Sequence, residues 1–244
     1  MQSALFAVAA TLCAALPTCQ EPPATPLFRE FALVQRLQVV CAHRHFGRVL
    51  DLIAEVPSGV ITGAVVTMRV DAGERRVVVP FANLRYDAAG HLLQLEGCAD
   101  DAVFPAFEAG KLEVRRSGDD GAVTGAVLVS ALANAKLQLD GGATGSTQGA
   151  TVELSSGHVA FLHMAASTQR AGDAELHATP WAALTFVDGA AADDAPTTLA
   201  IRLAKTAAAL TDTPALNEAI LSDPLYRPFV YRAFGVPPPD YDDV

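Results

Sequence analysis

The chain writes one seven-residue phrase twice. Pro80-Phe81-Ala82-Asn83-Leu84-Arg85-Tyr86 returns as Pro180-Trp181-Ala182-Ala183-Leu184-Thr185-Phe186, with proline, alanine and leucine in register and an aromatic answering each aromatic. A proline cannot donate to a strand ladder, so a strand that ends on one leaves its sheet there. The aromatic next to it is then placed to turn back over the sheet's open end. The flanks repeat as well. Gly47 answers to Gly145 and Ser58-Gly59 to Ser156-Gly157 at a spacing of 98, and the proline motif sits at 100. Pro105-Ala106-Phe107 is answered by Pro214-Ala215-Leu216 at 109, beyond an Ala/Asp-rich loop from Asp188 to Pro196. The landmarks keep their order, and the spacing grows only where turn residues gather. The chain therefore reads as two copies of one small domain, since such a period is too long for a solenoid unit.

A length of 244 residues accommodates two such domains. Half the residues are hydrophobic (51%) and only 18% are charged, which supports packed cores and argues against disorder. The formal net charge of −10 repels polyanions, and the basic pairs Arg75-Arg76 and Arg115-Arg116 are isolated. Nucleic acid is not an expected partner.

Residues 1–19 carry no charge and are rich in Ala, Leu and Val, so they read as a secretory signal, with a retained membrane anchor as the rival. Residues 20–30 contain three prolines and read as a linker. The first domain spans 31–109, with strands expected at Val34–Cys41, Arg48–Val56, Val60–Met68, Arg75–Val79 and His91–Glu96. A charged, glycine-bearing connection covers 110–126. The second domain spans 127–220, with strands at Leu132–Leu139, Gly149–Leu154, His158–Ala165, Glu175–Thr179 and Thr198–Leu203 and a short capped helix at Ala215–Leu221. Residues 221–244 form an aromatic, proline-rich tail. The expected fold is mainly β: two tandem small antiparallel β-barrels with short helical turns, then that tail.

A turn glycine, a glycine turn into a long apolar strand, and a strand closing on Pro-aromatic-x-x-Leu together resemble the PRC-barrel family. The resemblance rests on Gly47, Gly59-Val60, Pro80, Phe81 and Leu84 in the first copy, and on Gly145, Gly157, Pro180, Trp181 and Leu184 in the second. It covers most of residues 34–108 and 132–218. It implies a compact barrel used in binding or assembly, and it carries over no catalytic residue.

The residues give enzymatic chemistry little to work with. His43 and His45 point the same way in an extended hairpin and can share a metal, but no third ligand is spaced to join them. His158 and His163 fall on opposite alternations of one strand and cannot form a pair, and the alignment of His163 with Val65 suggests a partly buried, hydrogen-bonded imidazole. The Gly141–Gly149 stretch lacks the Lys-Ser/Thr ending of a phosphate loop and precedes a strand. No nucleophile elbow, His-Glu-x-x-His or Cys-x-x-Cys occurs. No cofactor and no metal are expected. The function read from the sequence is a non-enzymatic binding or assembly module of the bacterial envelope, exported to the periplasm or beyond, with a protein partner. One alternative is an enzyme with an inter-barrel cleft using His43, His45 or His163. Another is an adaptor that engages a partner through Tyr226, Phe229, Tyr231 and Phe234. In an oxidising compartment Cys41 and Cys98 are an even pair within one domain and a candidate disulfide.

Overall fold

The computed structural model describes residues 27–42, 44–70, 73–97, 104–112, 114–117, 122–133, 135–166, 175–189, 199–216, 223 and 227–239. The chain is mainly β. β1 (Phe28–Glu30) and the one-turn helix α1 (Phe31–Val34) lead into β2 (Gln38–Cys41), β3 (Arg44–Val56), β4 (Ile61–Val70), β5 (Gly73–Pro80), β6 (Leu84–Asp87) and β7 (Leu92–Leu95). β8 (Val114–Arg116), β9 (Val123–Leu128) and α2 (Val129–Leu132) come next. The second series is β10 (Lys136–Leu139), β11 (Thr144–Glu153), β12 (His158–Ala166), β13 (His177–Pro180), β14 (Leu184–Asp188) and β15 (Leu199–Leu203). Helices α3 (Ala207–Thr211) and α4 (Arg227–Ala233) come last.

The repeat is carried into the topology. One sheet runs β5-β4-β3-β2-β7-β6 and the other β13-β12-β11-β10-β15-β14, the same order strand for strand. One of the two sheets is curled into a half-barrel. Gly47 and Gly145 sit where their strand passes closest to the next one. A Cβ at either would run into a backbone oxygen, that of Thr67 or of Ala165. Both landmark glycines are there because nothing larger fits between those strands.

Several local readings differ from the structure. Leu84–Asp87 and Leu184–Asp188, taken as the tail of the aromatic motif, are sixth strands paired antiparallel to β7 and β15. The sheets are not wholly antiparallel. β2 pairs with β7, and β10 with β15, in parallel, because the chain returns to β2 only after four further strands. The expected strand from Val34 begins at Gln38. Phe31 and Val34, both buried three positions apart, belong to a helical turn. Its partner strand starts at Arg44, so the His-bearing turn shrinks. At Ala215, where the expected helix begins, the chain makes an edge pairing: Ala215 bridges to His177, and Leu216 N–H donates to Leu176 O at 2.6 Å, while the rest of that expected helix lies outside the described residues. The first half does the same, with Ala106 bridging to Val77 and Val78 N–H donating to Pro105 O. These repeated Pro-Ala tails therefore cover the free edges of β5 and β13.

The segments between the domains are where the two halves meet. β1, within the expected linker, pairs with β11 of the second half. β9, which straddles the end of the expected connection, pairs with β3 of the first. The registers are equivalent: Phe28 lies opposite Glu153 as Ala126 lies opposite Glu55, and Glu30 opposite Thr151 as Leu128 opposite Ile53. Each half lends its leading strand to the other. The buried side chains accordingly form one continuous core, from Phe28 and Val49 to Ile201 and Tyr231.

Candidate functional site

The pseudo-two-fold relation is tightest at the paired glycine turns. Val159 N–H donates to Gly59 O at 2.9 Å, and the equivalent Ile61 N–H donates to Gly157 O at 2.7 Å. Val60 and His158, which occupy matching places in the repeat, form a β-bridge between the halves. Gly59 and Gly157 hold φ of +78° and +69°, a region that other residues rarely adopt. Each also lies under an aromatic ring of the opposite copy. A Cβ on Gly59 would come within 2.8–2.9 Å of Trp181, and one on Gly157 within 2.9–3.0 Å of Phe81. The two repeated aromatics reach across to the other half's glycine turn, which corrects the expectation that each closes its own sheet. Trp181 adds an indole N–H donated to Pro57 O at 2.6 Å. Pro80 and Pro180 pair at equivalent points, opposite Gly63 and Phe161, and Leu84 and Leu184 open the next strands.

Beside this junction lies a groove of about 430 Å³. Trp181, Tyr231 and Pro237–Pro239 supply its apolar sides, while Ser58, Glu153, Ser156 and His158 supply its polar groups. Tyr231 reaches it from α4, where it is buried with its ring 5.3 Å from that of Phe161. Glu153 closes β11 and is only 4% exposed. Its Oε1 accepts from the Ser155 hydroxyl at 2.7 Å and its Oε2 from the Ser156 hydroxyl at 2.6 Å.

A serine, a histidine and a glutamate in one cleft invite comparison with a nucleophilic triad, and the hydrogen bonds run in a different order. In a triad the serine proton points to the histidine and the histidine to the carboxylate. Here the Ser156 proton goes to Glu153. His158 Nδ1 lies 3.0 Å from the Ser156 carbonyl oxygen and 3.2 Å from the Ser156 hydroxyl oxygen, so a proton on Nδ1 is shared between two oxygens of the same residue. The cluster is a tight turn with its polar groups satisfied.

The other candidate residues within the described part of the chain do not line this groove. His43, Cys98 and Tyr226 fall outside the described residues. His45 is exposed on β3, opposite Val40. His163 is buried with Nε2 2.8 Å from Thr151 Oγ1, and Gly149 leaves room for its ring. Cys41 is disulfide-bonded. Phe234 is buried at the end of the C-terminal helix, under the Lys205 ammonium at 5.4 Å, whereas Phe229 stands 57% exposed. Gly141 and Gly142, both at φ +78°, make a short turn into β11 beside Arg202. Among the described residues no three His, Cys, Asp or Glu side chains gather as a metal site, and no helix is long and apolar enough to cross a membrane.

Sequence reasoning missed two polar positions at or near the junction. Glu153 is one; it answers to Glu55 in the repeat, so its place in the sequence carries no sign of its burial. Asp51 is the other. It is buried under α2, where its Oδ1 accepts from Ser130 N–H at 3.2 Å and from Leu52 N–H at 2.8 Å, and its Oδ2 takes the Ser130 hydroxyl. Burial pushes its carboxyl above the ordinary value, and the hydrogen bonds from Ser130, Leu52 and Val129 pull it back only in part. No family model matches the chain, and no curated protein matches it.

Proposed function

We propose that the chain is a non-enzymatic binding module of the cell envelope, built from two PRC-like barrels and taking its partner at the junction groove. The observation that carries this reading is the groove itself: a concave, aromatic- and proline-walled site whose polar groups hydrogen-bond one another. Aromatic and proline surfaces hold extended protein segments at little entropic cost, as in other grooves that recognise peptides. Export fits the apolar residues 1–19 and the disulfide at Cys41, which we pair with Cys98. A second reading, an adaptor that docks through the C-terminal aromatics, draws on the exposed ring of Phe229.

Affinity capture from native envelope tests the proposal, with the wild-type chain beside Tyr231→Ala and Phe229→Ala as baits. A partner kept by the wild type and Phe229→Ala but lost by Tyr231→Ala supports the groove. Loss on Phe229→Ala alone moves the contact to the helix. Ester or amide hydrolysis by the purified chain that Ser156→Ala abolishes overturns the non-enzymatic reading.

A further inference from the structure

Glu153 is a buried carboxylate with two hydrogen bonds and no ion pair among the described residues. Removing a charge from water is costly unless an opposite charge compensates it, and neutral hydroxyls compensate only in part. Glu153 is also one of the residues that line the groove, together with Trp181 and Tyr231. The matching residue of the first half, Glu55, is exposed, and there Phe81 stands for Trp181 and Val60 for His158. The buried carboxylate and its aromatic walls are thus particular to the second half.

Resting on the reading of the groove as a protein-binding site, we infer that it receives an arginine side chain from an extended segment of the partner, with the guanidinium on Glu153. Each carboxylate oxygen has given one acceptor site to a serine hydroxyl and keeps another. Two parallel acceptors suit the planar fork of a guanidinium, which binds carboxylates in bidentate fashion. A guanidinium also stacks on aromatic faces and is more weakly hydrated than an ammonium, so an apolar cleft costs it less to enter than it would cost lysine. A bare metal ion is a poorer fit, for the described residues offer no third acidic or imidazole ligand. The molecule's net charge of −10 favours approach of a cationic segment.

The chain's single tryptophan, Trp181, reports on the groove directly. The probe is the peptide acetyl-Ala-Pro-Arg-Pro-Ala-amide, titrated against Trp181 emission beside the same peptide carrying citrulline, the neutral isostere of arginine. The expected result is a saturable change with the arginine peptide, weakened at least about tenfold by citrulline, by Glu153→Gln or by raised salt, and unchanged by Glu55→Gln. The citrulline arm uses only wild-type protein, so it stands even if Glu153→Gln fails to fold. Equal binding of the two peptides overturns the arginine assignment and leaves the groove a binding site. No response to either peptide, while Tyr231→Ala still loses a captured partner, overturns the arginine assignment alone. No response with partner capture unaffected by Tyr231→Ala removes both readings.

Discussion

Glu55 and Glu153 close equivalent strands and receive equivalent leading strands from the opposite half, yet one is exposed and the other is buried. Pro80 is exposed and Pro180 buried, and the outward-facing Thr62 of β4 answers to the buried Ala160 of β12. The backbone plan is duplicated and the surroundings are not. The difference traces to the C-terminal segment added after the second copy. α4 packs on β13, and Pro237–Pro239 line the same groove as Ser156 and His158. The exposed Glu55 of the first half answers to a buried Glu153 that lines a walled groove in the second. Fold is conferred by the repeat, and the candidate site by the departures from it.

The largest effect should come from removing the added element. Deleting residues 225–244 takes away the buried Val230, Tyr231 and Phe234, each contributing about 1.5–3 kcal/mol, so stability should fall by roughly 4 kcal/mol or more in urea unfolding. An unchanged midpoint would mean that the helix has no part in the second half's stability.

Next come the paired glycines. Gly59→Ala and Gly157→Ala each force a positive φ on alanine and press a methyl into the opposite ring, at a combined cost of roughly 2–4 kcal/mol. Similar losses in the two variants would sharpen the two-fold relation, whereas a large effect at only one glycine would break it.

Making the second half more like the first should cost less. Trp181→Phe keeps a ring over Gly59 but gives up the bond to Pro57 O, a loss of about 1 kcal/mol by denaturant titration. His163→Val, which installs the residue of the first half, strands the buried Thr151 hydroxyl and should cost roughly 1–3 kcal/mol.

The smallest effect is a slope. Burial raises the Asp51 carboxyl above its ordinary 3.8, so the unfolded chain loses this proton before the folded one does. Between those two values the folded state binds more protons, and stability must fall as pH rises, levelling off above the folded value. Asp51→Asn should lack that decline. Unfolding free energies measured across this acid range should show the difference between the two proteins growing with pH. A wild-type stability that rises more steeply than that of Asp51→Asn over the same range would contradict the burial argument.

The recurring Pro-aromatic phrase and the spaced glycines were legible as a duplication, because each answers to a local backbone need. Gly47 and Gly145 mark a close strand approach, and Gly59 and Gly157 a left-handed turn. Pairing was not legible. Nothing in Phe28–Glu30 says that its ladder partner is β11, since three residues beside a proline-rich stretch carry no register of their own. The parallel contact of β2 with β7 was hidden for the same reason, being set by the return of the chain over four strands. Leu84–Asp87 was read as part of a motif because its interest lay in the preceding proline and ring. At the site, Trp181 stood out by its place in the repeat. Glu153 did not, because a glutamate ending a strand ordinarily meets water, and its burial depends on Tyr231 and the prolines about eighty residues further along.

The traded leading strands change what counts as a part of this molecule. A boundary drawn between the copies, after β8 and before β9, would strip the first half of β9 and leave β1 attached to a body that does not use it. Neither excised half is then complete. The same trade makes the halves natural fragments for reassembly, since cutting the chain between β8 and β9 separates two polypeptides that each hold a strand the other requires. It also bears on how the native state is reached. Arg29 finds Val152 only after the whole first copy and two strands of the second have emerged, so closing that ladder is a long-range event of the kind that slows folding. Once closed, it ties the unfolding of either sheet to the unfolding of both.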